Sequence, residues 1–299
     1  MAQTGRKRLV PKYDWVFEQK LADTGILMDS RLSKAKGGVS VSDAGTGTPA
    51  ISASFSSFVA MHINMMGKEN IRANLVPYIA GETQIANSGG ESFSGMRPLV
   101  TDLPPPRPDS FDGAPMGDVD KTVRETLAEL IMPTHSKDGP PLLAPNFFLQ
   151  VGDKTTTHEA LKVQTAYEGA YGARAIHALQ NYGKLEQTYD EKVYTYTATY
   201  HASAGLLHLY GHYLTKDGGP SGQPAYQMTK IKSYYMTGEL ANFNEGVASF
   251  RYLRNLAHQH RQRFISKANR RQRLAGAEEE EEEEDGEGEY GWDESNLMQ

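Results

Sequence analysis

The 299-residue sequence contains no cysteine and no long apolar run. Without cysteine, disulfide bonds, thiolate zinc sites and a cysteine nucleophile are excluded. No stretch approaches the roughly 20 apolar residues of a membrane-spanning helix, and the N-terminal residues lack the apolar core of a secretory signal. These absences predict an intracellular protein, in the nucleus or the cytoplasm, with no membrane partner.

Several common catalytic motifs are missing as well. The chain has no HExxH zinc motif, no Gly-X-Ser-X-Gly elbow and no dinucleotide-binding fingerprint. The glycine-rich residues 89–95 are not followed by Gly-Lys-Ser/Thr, so they do not predict a phosphate-binding loop. The nine histidines, His208 and His212 among them, show no ligand-cluster spacing and are expected to be packed or solvated.

Charge divides the chain into unequal parts. The formal net charge is −6, but twelve acids and no bases lie within residues 278–294. The remaining 31 bases exceed the remaining 25 acids, so the rest of the chain is mildly basic. Residues 275–299 are predicted to be a disordered acidic tail because they cannot bury enough apolar surface to fold. Residues 1–12 are predicted to be a disordered basic N-terminus.

Residues 145–182 are predicted to form the centre of the fold. The run Pro-Asn-Phe-Phe-Leu-Gln-Val at 145–151 is typical of a strand buried on both faces. A polar break follows, and a long helix is predicted from His158. Its middle, residues 168–175, is rich in small residues, which should let the helix lie close to a sheet. A buried strand followed by a close-packed helix indicates an α/β domain.

The rest of residues 13–274 is predicted to complete one domain. Helices are expected at residues 14–27, 55–66, 69–80, 118–131, 231–236 and 239–274. Strands are expected at 96–100, 193–200, 205–213 and 226–230, with the second and third forming a hairpin. Residues 30–54, rich in Ser, Gly, Thr and Ala, are predicted to be a flexible loop.

Four segments carry a resemblance to a known family. They are Arg-Pro-Asp at 107–109 with Phe-Asp-Gly-Ala at 111–114, Asn-Phe-Phe-Leu at 146–149, residues 164–177 of the central helix, and Tyr-Gln-Met-Thr at 226–229. The chain resembles, over most of residues 12–272, a poorly characterised group of fungal proteins with a domain related to PD-(D/E)XK nucleases. The resemblance implies a restriction-endonuclease-like fold, with a mixed sheet flanked by helices, a long C-terminal helix and a disordered acidic tail.

The same resemblance implies where a metal site would lie. Nucleases of this superfamily hold a divalent metal with carboxylates and use a nearby lysine. Asp109 matches the first acid. Family members read roughly Phe-Phe-Leu-Glu-Ala-Lys where this chain has Phe-Phe-Leu-Gln-Val-Gly, so Gln150 replaces the second acid and Gly152 the lysine. Two of the three motif residues are therefore altered.

Other side chains are candidates to compensate. Lys154 lies two residues beyond Gly152, on the same nominal strand face, within reach of a long side chain. Lys162, one turn into the helix, is a second candidate for a displaced lysine. Glu18, on the first predicted helix, is a candidate extra metal ligand, although a solvated helix face also explains it. Mg²⁺ is the expected metal if the site binds one, and no other cofactor is indicated.

A second candidate site is the predicted C-terminal helix, where residues 251–273 contain eight bases and no acid. The predicted nucleic-acid contacts are Arg261, Arg263, Lys267, Arg270, Arg271 and Arg273. Two alternatives remain open at this point: the helix face is simply solvated, or the acids that follow neutralise it in cis. A mobile acidic tail would compete with polyanions for this helix.

The sequence therefore predicts a nuclease-like protein with a degenerate metal site, which binds nucleic acid or a protein partner rather than cleaving. One alternative is an active Mg²⁺-dependent nuclease that uses Asp109, Gln150 and a displaced lysine. Another is an interaction protein with no nucleic-acid role.

Overall fold

The computed structural model describes residues 13–28, 41, 52–134 and 140–288. The predicted basic N-terminus, most of the predicted 30–54 loop and residues 289–299 lie outside the described residues. Within the described part, the chain is α/β, with one seven-stranded mixed sheet flanked by helices. No helix in that part is long and apolar enough to cross a membrane.

All seven strands of the described residues belong to a single sheet. The strands are β1 (Ile26–Leu27), β2 (Asn87–Ser88), β3 (Ser110–Ala114), β4 (Leu143–Gly152), β5 (Thr195–His201), β6 (Leu206–Thr215) and β7 (Ala225–Tyr235). The helices are α1 (Trp15–Asp23), α2 (Ser52–Asn64), α3 (Lys68–Asn74), α4 (Val76–Ala80), α5 (Lys121–Thr126), α6 (Ala128–Ile131), α7 (His158–Asn181) and α8 (Leu240–Gly288). The sheet order is β1-β7-β6-β5-β4-β3-β2, with β1/β7 and β4/β5 parallel.

Strand β4 lies inside the sheet, between β5 and β3, and all ten of its residues are buried, as the sequence predicts. Because successive side chains point to opposite faces, Phe148 packs with α1 and α7 on one face. Phe147 and Leu149 pack on the other face, against α2 to α4 and the first half of α8. This alternation also turns Gln150 and Gly152 toward α7.

Helix α7 lies close to the sheet, which confirms the expectation drawn from its small residues. Thr157 caps its first turn by accepting a hydrogen bond from the Ala160 N–H group at 3.1 Å. A Cβ atom at Gly172 would lie 2.6 Å from Phe148 Cε2 and 2.9 Å from the Pro145 carbonyl oxygen. Glycine is therefore required where the helix crosses the start of β4.

The C-terminal helix is longer than predicted. It continues past Leu274 to Gly288, so the backbone of the acidic run 278–285 is helical rather than disordered. Glutamate and alanine are good helix formers, which accounts for the continuation. Deletion of the acids therefore removes part of a helix, and the predicted mobile tail would have to begin at or beyond residue 289.

Other predicted elements differ from the structure. Residues 96–100 form bends and irregular backbone rather than a strand. Residues 26–27, predicted as the end of a helix, form strand β1. The segment predicted as one helix at 118–131 divides into α5 and α6 after a 3₁₀ turn that ends at Asp118, and Asp120 caps α5 by accepting hydrogen bonds from two backbone N–H groups of its first turn. Residues 231–235 are strand, since β7 pairs along its length with β6. The predicted hairpin of β5 and β6 is confirmed.

Candidate functional site

The structure brings Asp109 and Gln150 together at one end of the sheet. Asp109 directly precedes β3, and its neighbour Ser110 pairs with Leu149 of β4. The Val151 N–H group donates a hydrogen bond to Asp109 Oδ2 at 2.8 Å. The backbone of β4 therefore fixes the Asp109 carboxylate beside Gln150.

An acid that the sequence analysis did not single out completes this cluster. Gln150 Nε2 donates to Glu168 Oε1 of α7, and Gln164 Nε2 donates to the same oxygen at 3.1 Å. Both Gln150 and Glu168 are completely buried. Among the residues that the structure describes, Glu168 Oε2 and Gln150 Oε1 have no hydrogen-bond partner. The cluster therefore contains two enclosed oxygen atoms that can accept a further donor or ligand.

Burial and nearby charge govern the protonation of this cluster. Burial raises the pKa of the Glu168 carboxyl well above its ordinary value, and the Asp109 carboxylate raises that pKa further. Hydrogen bonds from Gln164 and Gln150 oppose this increase without overcoming it. Burial also raises the pKa of the Tyr13 hydroxyl, with added repulsion from Glu168 and Asp109. Tyr13 therefore lies close to both acids and stays neutral.

The cation beside Asp109 comes from α3 and was not predicted. Lys68 Nζ lies 3.5 Å from Asp109 Oδ2, and both side chains are partly exposed. Arg72, one turn further along α3, donates to the Asp109 carbonyl oxygen at 3.3 Å. Nothing near Asp109 in the sequence indicates Lys68, because it approaches from a different element. The sequence offers one weak indication of this contact, which is that Lys68 is the first residue of α3, a helix that packs on β4.

The predicted substitute residues lie elsewhere. Lys154 is exposed on the turn after β4, where it lines a groove with Asp153. Lys162 is half-buried on α7. Glu18 is exposed, whereas Phe17 of the same helix packs edge-on against Tyr167 of α7. The acid that lies beside Asp109 is therefore Glu168 and not the predicted Glu18.

The donor set decides which metal the cluster fits. Among the residues that the structure describes, no group of three or more His, Cys, Asp or Glu side chains could hold a metal ion. Asp109, Gln150 and Glu168 offer two carboxyl groups and one amide oxygen. These are hard oxygen ligands, which suit Mg²⁺ because it keeps several of its waters and often binds one or two carboxylates. The cluster fits a hydrated Mg²⁺ and does not fit a metal that requires a complete set of protein ligands.

Several bases of α8 form hydrogen bonds inside the protein rather than facing solvent. Arg254 forms two hydrogen bonds of 2.7 Å to the Asp112 carboxylate, and both side chains are buried. Arg261 is completely buried and donates to Asn146 Oδ1. Burial lowers the pKa of Arg261 to about 10. The prediction that Arg261 contacts nucleic acid is therefore wrong, because its guanidinium has no access to a phosphate.

The predicted phosphate contacts beyond Arg261 divide into two groups. Arg271 donates to the carbonyl oxygens of Gln180 and Tyr182, at 3.2 Å and 2.9 Å, so part of its donor capacity holds the end of α7. The exposed bases share one side of α8, which we call the basic stripe: Arg263, Lys267, Arg270 and Arg273.

The basic stripe and the Asp109 cluster lie toward opposite ends of β4. Arg261 contacts Asn146, near the start of β4, and α8 then runs on past Tyr182 at the end of α7. Gln150 lies near the end of β4. It is four residues from Asn146, which corresponds to about 13 Å because a strand rises about 3.3 Å per residue. One short stretch of ligand would therefore not reach both surfaces.

The chain matches no protein-family model, no curated protein and no solved structure with which it was compared. Its function is therefore inferred from the geometry of the site.

Proposed function

We propose that this chain is a PD-(D/E)XK nuclease-like protein that binds nucleic acid in the nucleus or the cytoplasm through a degenerate metal site. The succession β3, β4, α7, β5 supports a restriction-endonuclease-like fold, since it sets an acid before β3 against the motif strand β4. The main observation in support of a degenerate motif concerns Gly152, which stands at the position of the motif lysine. A Cβ atom there would lie 2.7 Å from Leu161 Cδ1, so α7 fills the space where the motif lysine would begin.

The pairing of Gln150 with Glu168 also supports binding rather than cleavage. A carboxylate at position 150 would face the buried Glu168 carboxyl, and two like charges in a low-dielectric site repel strongly. Glutamine avoids this repulsion and donates a hydrogen bond instead. The substitution at position 150 thus fits its present surroundings, in which a second negative charge would be costly.

Two surfaces are available for phosphate contacts. The first lies around the cluster, where Lys68 and Arg72 contact Asp109. Lys154 and Asp153 line a groove of about 320 Å³ that is also lined by Met65, Met66 and Ile71, so the groove offers apolar contact beside charged groups. The second surface is the basic stripe of α8. Each phosphate contact made by such bases releases counterions and adds salt-sensitive affinity.

Fluorescence anisotropy with labelled DNA and RNA at two salt concentrations tests the proposal. Binding should weaken at higher salt, and charge-neutralising substitution of Lys68, Arg72 and Lys154 by glutamine should reduce both the affinity and its salt dependence. Arg263→Gln, Lys267→Gln and Arg270→Gln together test the basic stripe in the same way. Lys216→Gln, an exposed base between β6 and β7, is the matched control. Absence of binding to any nucleic acid would favour an interaction protein with a protein partner.

An active Mg²⁺-dependent nuclease is a second candidate, and Lys68 is the observation that favours it. This side chain supplies a cation beside Asp109 although Gly152 cannot. Glu168 likewise supplies the carboxyl that Gln150 lacks. Cleavage of DNA or RNA that requires Mg²⁺ or Mn²⁺ and is lost in Asp109→Ala would establish this candidate. Little or no cleavage is expected if the degenerate site only binds.

A further inference from the structure

Arg174, in the second half of α7, is a buried cation that forms no ion pair with any carboxylate in the part of the chain that the structure describes. Only 9% of its surface is exposed. Its Nη2 atom donates to the Arg97 carbonyl oxygen, and its guanidinium lies over the Tyr171 ring, 4.8 Å from the centroid. Its Nε atom has no hydrogen-bond partner among the described residues. Because a buried charge is costly unless it is paired, this arginine indicates a place for a negatively charged ligand.

A second arginine side chain lies beside the first. Burial lowers the pKa of the Arg174 guanidinium, and the positive charge of Arg97 contributes to this decrease, so the two guanidinium groups are close to each other. The Arg97 side chain is exposed and forms no hydrogen bond or ion pair with another described residue. The contact of Arg97 with Glu129 is through the backbone only, since the Glu129 carbonyl oxygen accepts the Arg97 N–H group at 2.8 Å. Two like charges are therefore held together without an acid between them.

The Tyr226 hydroxyl adds a neutral donor to the two arginines. Burial raises the pKa of this hydroxyl, and the positive charges of Arg174 and Arg97 both oppose the increase, so the hydroxyl lies near both guanidinium groups. Tyr226 is half-buried, and its hydroxyl forms no hydrogen bond within the described residues. Tyr226 pairs with Ile26 of β1, which fixes its backbone in the sheet. The three donors are thus held in place, and Arg97 and Tyr226 leave them open to solvent.

We propose that Arg174, Arg97 and Tyr226 bind a doubly charged phosphate group, either inorganic phosphate or the phosphate monoester of a small molecule. The planar guanidinium group donates two parallel hydrogen bonds to phosphate oxygens. A phosphate monoester carries a charge of about −1.5 to −2 at pH 7, which two arginines neutralise, whereas a carboxylate carries a single negative charge.

This site is separate from the Asp109 cluster and does not rest on the proposed function. Arg174 follows Glu168 by six residues, which is about 9 Å along the axis of α7. Each phosphodiester of a nucleic acid carries one negative charge, so a nucleic-acid backbone does not supply the doubly charged group that the two arginines match. The inference therefore adds a small-molecule site to the proposed nucleic-acid surface.

Isothermal titration calorimetry of the full chain, at pH 7.5 and constant ionic strength, tests the site. The titrants are inorganic phosphate, phenyl phosphate as a monoester, and acetate as a singly charged anion. Phosphate and phenyl phosphate should bind at one site, and acetate should bind about tenfold more weakly or less. Tighter binding of phenyl phosphate than of phosphate would identify the ligand as a phosphorylated small molecule. Equal binding would identify it as free phosphate.

Two variants remove donors that make no other contact among the described residues. Arg97→Gln should weaken phosphate binding about tenfold, and Tyr226→Phe about threefold, because each removes one donor to the anion. Neither variant should lower Tm in phosphate-free buffer, since the lost atoms hold no described element in place. Lys216→Gln, which removes an exposed base between β6 and β7, is the control and should keep the wild-type affinity.

Several results would overturn the proposal. The first is that neither phosphate nor phenyl phosphate binds, and the second is that acetate binds as tightly as phosphate. Equal losses in Arg97→Gln and Lys216→Gln would assign the affinity to net charge instead of to this site. If Arg97→Gln weakens the binding of DNA without terminal phosphates but not that of phosphate, the two arginines belong to a nucleic-acid surface. The proposed function stands in each of these cases if the chain still binds nucleic acid.

Discussion

Leu161 Cδ1 lies 2.7 Å from the position that a Cβ atom would take at Gly152. Gly152→Ala should therefore destabilise the protein by about 1–3 kcal/mol, because Leu161 is buried and must leave its place. Gly117→Ala is the control, since nothing lies within 4 Å of that position. Urea unfolding of both variants measures the difference. Equal stabilities would show that Leu161 moves at no cost and that a motif lysine could be restored.

The ion pair between Arg254 and Asp112 should be a major support of α8. Arg254→Met leaves the Asp112 carboxylate buried without its partner, so we expect a loss of about 3–5 kcal/mol. Arg270→Met removes an exposed base from the same helix and should change stability by no more than about 0.5 kcal/mol. Chemical denaturation separates the two. In the double variant Asp112→Leu with Arg254→Met, the loss should be smaller than in Arg254→Met alone, because no unpaired charge remains.

The stability of the protein should fall between pH 6.5 and pH 4, partly through His212. Complete burial lowers the pKa of His212 to about 3, from an ordinary value of 6.5. In this range the unfolded chain binds the proton and the folded chain does not, so acid favours unfolding. The expected contribution is about 2 kcal/mol between pH 7 and pH 5. His212→Gln should show a smaller loss of unfolding free energy over the same range, and an unchanged loss would contradict the assignment.

The acidic run should weaken polyanion binding mainly at low salt. In a continuous helix, residue 278 is about 7.5 Å along the axis from Arg273 and about 12 Å from Arg270, whereas the Debye length is about 8 Å at 0.15 M ionic strength and about 30 Å at 0.01 M. Deletion of residues 278–299 should tighten DNA binding clearly at about 0.01 M ionic strength and only slightly at 0.15 M. An acidic segment that folds back onto the basic stripe would instead keep its effect at 0.15 M. Anisotropy titrations at both salt concentrations distinguish these cases.

The centre of the fold could be predicted because its signals are local. An apolar run followed by a long helix with small residues specifies β4 and α7, and strict alternation at 193–200 specifies β5, with β6 as its partner in a hairpin. The end of β7 is not recognisable as a strand in the sequence, because its alternation is interrupted where the register with β6 shifts between Leu209 and Tyr210. Such a shift depends on pairing and leaves no mark in a single segment.

The candidate site could be predicted only in part, for a related reason. Asp109 and Gln150 are found through a motif, whereas Lys68 and Glu168 join them through tertiary packing of α3 and α7. The sequence does not reveal that Arg261 is buried, because a buried arginine and an exposed arginine look alike in a count of charges. The available signal is Asn146, a polar residue inside an apolar strand, whose Oδ1 accepts a hydrogen bond from the Arg261 guanidinium.

The 49 residues of α8 form one axis of about 73 Å. Bases occupy its middle and acids its far end, so the helix carries its charges in a fixed order. The acids also lie at the negative end of the helix dipole, where further negative charge is unfavourable. A polyanion that approaches along the axis from that end meets repulsion first, whereas one that approaches across the axis meets the bases directly. The helix thereby gives the molecule a preferred direction of encounter.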